Sequence, residues 1–119
     1  MPYVDGFVIA IPTKNLKAYK AMATLGGKVW REHGALEYKE CVGDDLAVKY
    51  GMPYGKLLKL KKGETAVFSW ITYKNKAHRD KVNANVMKDK RLSDSMDPKK
   101  MPFEMKRMSY GGFTVLVDA

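Results

Sequence analysis

Apolar side chains follow two rhythms along this chain, and the elements change where the rhythm changes. From Glu64 to Tyr73, ETAVFSWITY sets Ala66, Phe68, Trp70 and Thr72 against Val67, Ser69, Ile71 and Tyr73, so an extended segment carries large apolar groups on both faces. Tyr3 to Ile11 behaves alike, with Tyr3, Asp5, Phe7, Ile9 and Ile11 opposing Val4, Gly6, Val8 and Ala10. Pro12 ends that strand and Thr13 is placed to cap a helix. Leu16, Tyr19, Ala23, Gly26, Gly27, Trp30 and His33 then recur at helical spacing until Gly34. This predicts an amphipathic helix of about five turns. Adjacent glycines inside a helix cost roughly 1 kcal/mol each relative to Ala, so Gly26-Gly27 points to close approach of helix and sheet, a kink or a break.

Ala35 to Val42 alternates again, with one wetter face that suits a strand near the sheet edge. Gly51, Pro53 and Gly55 then break the pattern, and 43–63 reads as an extended excursion from which Leu57, Leu58 and Leu60 add a short strand or dock onto a partner. After the strand at 64–73, Asn75 can cap a second, short helix marked by Ala77, His78, Val82, Val86 and Met87. Asp97-Pro98 and Met101-Pro102 block regular structure in the polar stretch 88–102. A last strand is predicted from about Lys106 to Val117, with Arg107 and Phe113 on one face, Met108 and Tyr110 on the other, and a bulge or close approach at Gly111-Gly112.

Strand, helix, strand, strand, helix, strand is the ferredoxin-like split βαβ order. The reading is one α+β domain over 1–119, an antiparallel sheet with two helices on one face. The apolar second faces of the first, third and last strands would then lie open, a larger patch than soluble monomers usually leave exposed. That predicts a homodimer formed through the sheet face.

With 119 residues, 45% of them hydrophobic, the chain can build a modest core. Charge interrupts every apolar run well short of the roughly 18 residues of a membrane span, and the start MPYVDGFVIAIP has no basic leader. A cytoplasmic protein with no membrane partner is expected. The single cysteine, Cys41, excludes an intramolecular disulfide and reads as a small strand residue. A formal net charge of +9 admits a polyanionic partner, but the basic residues are spread over several segments and alternate with apolar ones, as on a solvated surface. RNA is therefore a possible but not a favoured partner.

The segments YVDGFVIAIP, GKVWREHGALEYKECVGDD, VFSWITYKNKAHRDKVNANVMKD and MPFEMKRMSYGGFTVLVDA closely resemble the YbaA-like family of small uncharacterised bacterial proteins, and the likeness covers nearly the whole chain. The resemblance implies the dimeric α+β barrel superfamily, in which two ferredoxin-like sheets pack face to face. It carries no established activity and transfers no catalytic residue.

No motif identifies a reaction or a cofactor. His33 and His78, the two histidines, can act as acid, base or ligand, yet His33 with Glu37 and His78 with Asp80 lack the two-His spacing of a helical zinc site, so no metal is expected. Trp70 is the sharper candidate, as an indole lining a ligand cavity between sheet and helices. Tyr38, Tyr73 and Tyr110 can join it as hydrogen-bond donors. Glu37, Glu40 and Arg107 are the strand charges to watch, because a charge pointing inward must be paired or functional, an Arg–Glu pair across strands being the plainer outcome. Met87, Met96, Met101, Met105 and Met108 read as gap-fillers of core or interface rather than a binding groove. Three functions stay in view: a barrel binding or converting a small apolar or aromatic molecule without a cofactor, a weak RNA binder using its basic surface, and a protein-interaction dimer.

Overall fold

The computed structural model describes residues 1–119. Strands β1 (Tyr3–Pro12), β2 (Glu37–Val42), β3 (Glu64–Tyr73) and β4 (Met108–Thr114) form one four-stranded antiparallel sheet in the order β2-β3-β1-β4. Helices α1 (Leu16–Glu32), α2 (Tyr54–Leu57), α3 (Lys76–Met87) and α4 (Lys90–Ser95) connect them. This is the ferredoxin-like α+β arrangement expected from the sequence. The two doubly apolar strands, β1 and β3, take the centre and pair over their whole length, from Tyr3↔Tyr73 to Pro12↔Glu64.

Cross-strand partners project to the same side of a sheet, so the registers sort the side chains into two faces. Asp5, Phe7, Ile9, Ile11, Tyr38, Glu40, Val67, Ser69, Ile71, Tyr73, Met108 and Tyr110 point towards the helices. Val4, Gly6, Val8, Ala10, Glu37, Cys41, Ala66, Phe68, Trp70, Thr72 and Phe113 lie on the opposite, open face.

The core under the helices is divided. Val29, Ala35, Ile71, Tyr73, Val82, Val86 and Leu92 form one buried cluster, and Ile9, Ile11, Tyr19, Ala23, Val67 and Phe103 form another. Ile71 and Val67, each two residues from Ser69 and on either side of it, anchor one each. The short polar Ser69, buried between them, marks the seam.

Several elements differ from expectation for local reasons. Helix α1 runs unbroken through Gly26 and Gly27, where an added Cβ would stand 3.0 Å from the Tyr38 hydroxyl or ring. Close approach to β2, not a kink, is what the glycines allow. The stretch expected to be irregular contains α4, started by Asp89, whose carboxylate accepts from the Arg91 backbone N–H. Leu92 on that helix joins the core. Strand β4 ends at Thr114 and pairs with β1 without a bulge through Gly111 and Gly112. Gly112 instead makes room for Tyr3, whose hydroxyl would clash with a Cβ there. As expected, Asn75 caps α3, accepting from the His78 N–H at 2.8 Å.

Candidate functional site

Between sheet and helices, at the seam of the two core clusters, lies a cavity of about 430 Å³. Ile71 and Leu92 from one cluster and Ile9, Tyr19, Ala23 and Phe103 from the other line it. Small residues create the space, with Ser69 on the sheet opposite Ala23 and Gly26 on α1. Met22, Met87, Met96, Met101, Met105 and Met108 complete the wall. The methionines read from the sequence as gap-fillers therefore surround open volume, and their flexible thioethers suit a wall that adjusts to its contents.

Two carboxylates stand in this apolar setting. Glu40 of β2 accepts from the Tyr19 hydroxyl on Oε1 and from the Tyr38 hydroxyl on Oε2, both at 2.7 Å. Burial, reinforced by the adjacent Glu40 charge, pushes the pKa of both phenols far above the usual value. They keep their protons and act as fixed donors. Asp5 of β1, only 1% exposed, accepts from Tyr110 Oη at 3.1 Å and from Asn83 Nδ2 at 3.3 Å, and Arg79 Nη1 stands 3.7 Å away. Asn83 of α3 is the junction of this second network, its Oδ1 accepting from Trp30 Nε1 at 3.0 Å and Tyr73 Oη at 3.1 Å. Both carboxylates thus have donor partners, as burial in a low-dielectric site demands, while Arg79 Nε is buried without a hydrogen-bond partner, 3.2 Å from Asp80 Oδ1. Desolvation and then the Asp5 charge raise the Tyr73 and Tyr110 pKa values in the same sense.

The structure separates the residues singled out in the sequence. Tyr38 and Tyr110 line the cavity, Glu40 stands beside them, and Tyr73 backs the wall through Asn83. Trp70 does not lie between sheet and helices. The β3 register puts it on the open face, where its Nε1 donates to Glu37 Oε1 at 3.0 Å. That bond and one from Thr72 lower the Glu37 pKa. Arg107 precedes β4 in a 3-10 turn and pairs with Glu64 at 2.6 and 2.9 Å while also donating to the carbonyls of Leu58 and Lys59. It fastens the end of the 43–63 excursion to β3 and does not itself line the cavity, although Met105 and Met108 on either side of it do. His33, at the end of α1, is 2.9 Å from Asp89 Oδ2 and ties α1 to the start of α4. His78 accepts from the Lys74 N–H at 3.0 Å in the first turn of α3. Neither histidine borders the cavity.

Asp5, Tyr19, Trp30, Asn83 and Arg79 are the polar residues of the site that sequence reasoning passed over. Asp5 carried a signal, as the lone acid on a strand otherwise apolar on both faces. The others sit among ordinary helix positions, and only tertiary placement joins them.

A family model described as "Protein of unknown function (DUF1428)" matches residues 2–105. Over 118 residues the chain is 39% identical to "Uncharacterized protein YbaA" of Escherichia coli (strain K12), covering 99% of each, and the same figures hold for YbaA of Shigella flexneri. A crystal structure described as a dimeric ferredoxin-like protein from an uncultured marine organism aligns over 100% of both chains with a TM-score of 0.54 and 15% identity, a likeness of fold. No helix is long and apolar enough to cross a membrane.

Proposed function

We propose, for a chain that belongs to the DUF1428 family together with YbaA, that it is a homodimer whose protomers each bind a small apolar or aromatic molecule in the cavity between sheet and helices, through this chain's own side chains. The observation that carries the reading is the cavity itself. Its size falls within the roughly 300–1,000 Å³ of small-molecule sites. Of its 22 lining residues 16 are hydrophobic, and Asp5 and Glu40 are its acidic members.

Burial of a ligand's apolar surface there is worth roughly 25 cal/mol per Å². The two carboxylates are acceptors and the phenols beside them are already committed as donors. The polar group that fits is therefore a donor, a hydroxyl or amine on the ligand that shares Glu40 or Asp5 with the tyrosines. A ligand without one leaves the existing networks intact and gains only from the apolar walls.

Pairing of two copies is supported by the open face. Phe68 and Phe113 are 44% and 61% exposed there, and Val4, Val8 and Trp70 surround them. Soluble monomers seldom leave such a contiguous patch uncovered. The fold relative described as dimeric supports the same reading.

Binding is tested with N-phenyl-1-naphthylamine, a neutral aromatic amine that brightens in apolar sites. Saturable enhancement is expected with the native chain. Ser69→Phe, which fills the seam, should abolish it while circular dichroism stays native. Met108→Trp serves as a second way to fill the cavity should Ser69→Phe fail to fold. Undiminished enhancement in a folded, filled variant overturns the reading.

A further inference from the structure

A second cleft, of about 740 Å³, opens between α1 and the edge strand β2 on the outer side of the Glu40 cluster. Leu16, Ala23, Leu36, Val42 and Val67 give it an apolar floor. Tyr19, Tyr38 and Glu40 line both this cleft and the inner cavity, so the carboxylate held by two phenols is part of the wall between them.

The charges around the outer cleft are unbalanced. Its two carboxylates are engaged, Glu40 by the tyrosines and Glu37 by Trp70 and Thr72. Arg31 donates to the carbonyls of Ala35 and Leu36. Lys20, Lys28 and Lys39, by contrast, have no carboxylate within 4.0 Å. Lys20 and Lys28 stand two turns apart on the same side of α1, with Thr24 between them. An apolar floor below uncompensated ammonium groups matches a molecule that is apolar along its length and anionic at one end.

We propose that the α1–β2 cleft binds a soluble single-chain amphiphile with a carboxylate or phosphate head, the head meeting Lys20 and Lys28 and the chain lying on Leu16, Leu36, Val42 and Val67. Glu40 at the inner wall repels the head, while the exposed Lys20 and Lys28 along the α1 rim attract it. The site is distinct from the inner cavity and does not depend on a ligand there.

Dodecanoate, dodecyl phosphate and uncharged dodecanol are the probes, titrated by calorimetry at low ionic strength below their micelle-forming concentrations. Either anion is expected to bind at least tenfold tighter than dodecanol. Lys20→Glu with Lys28→Glu should weaken the anions at least tenfold and leave N-phenyl-1-naphthylamine binding unchanged. Both lysines are exposed, so the fold is not at stake. Thr24→Trp, which fills the cleft from an exposed helix position, should weaken all three probes. Equal binding of dodecanol and dodecanoate, or indifference to the charge reversal, overturns the proposal. Binding to phosphatidylglycerol vesicles without binding of the single-chain probes also overturns it, in favour of a membrane surface. Failure of N-phenyl-1-naphthylamine to bind while the anionic amphiphiles still do would strike the inner cavity and leave the outer cleft standing.

Discussion

The two faces of the sheet come from the same four strands and are both rich in large apolar residues, yet they are built for different purposes. The helix-side face holds buried polar groups in closed networks, Asp5 with Asn83, Arg79 and Tyr110, and Glu40 with Tyr19 and Tyr38. The open face holds an aromatic patch, Phe68 and Trp70 with ring centroids 5.7 Å apart and Phe113 laid over Gly6, with Glu37 at its edge. Hydrophobicity alone does not distinguish them. What does is the cost of burying a charge, which a chain accepts only where the charge is satisfied. Acids inside the helix-side layer support the proposed binding site, and their absence from the centre of the other face supports the proposed contact with a second copy.

The severest way to break this contrast is Asp5→Leu. It removes the buried one of the two carboxylates beside Arg79, whose side chain is only 18% exposed, leaving it the exposed Asp80 at 3.2 Å, and orphans Asn83 Nδ2. Removing one partner of a buried pair typically costs about 3–5 kcal/mol, so urea unfolding should show a loss of that order. A neutral result would reduce the helix-side face to ordinary core. On the other face, Phe68→Asp should leave the fold intact and raise the dimer dissociation constant at least about 100-fold, or roughly 2.7 kcal/mol, so that light scattering at micromolar concentration reports a monomer. A native chain that is already monomeric there defeats the dimer.

Smaller changes sharpen the distinction. Tyr38→Phe deletes one of the two donors to Glu40 and should cost about 1.5 kcal/mol in the same unfolding experiment, the lower range for hydrogen bonds to charged groups. Phe113→Leu on the open face should cost less in monomer stability, since its ring is largely exposed. The smallest effect lies away from both faces. Hydrogen bonds from Arg107 and the Lys61 N–H hold the Glu64 pKa at about 2, below its ordinary 4.5. A lowered native pKa means that the unfolded chain takes up the proton first on acidification. The Glu64 contribution is therefore complete above about 4.5 and is lost as the pH falls through about 2. Melting temperature followed over that range should fall less steeply in Glu64→Gln.

Strand and helix rhythms were legible because burial imposes them residue by residue. Period-2 alternation in β1 and β3 and the Asn75 cap follow from local pattern, whereas the α1 glycines fit close approach, a kink or a break equally until Tyr38 is seen against them. Which face of β3 the helices would cover was not legible. Both halves of its alternation, Phe68 and Trp70 or Val67 and Ile71, are apolar, and the choice rests on the register with β1 and the path of α1. The pattern alone therefore suits Trp70 to the cavity, whereas the register gives it to the open face. Tyr38 and Tyr110 reach the cavity because both share a face with Ile71 and Phe7. The α4 helix escaped notice because it is short and polar and joins the core through Leu92 alone among its residues.

The placement of the two tryptophans has an optical use. The chain has two tryptophans, and the sheet stands between them, Trp30 bordering the inner cavity and Trp70 lying on the uncovered face. Each indole N–H already has a fixed acceptor, Asn83 for one and Glu37 for the other. In Trp70→Phe the remaining emission belongs to Trp30 and responds to whatever fills the cavity. In Trp30→Phe it belongs to Trp70, and the proposed dimer predicts that it responds to dilution. Filling and assembly can thus be followed separately in an unlabelled protein, each by its own intrinsic chromophore.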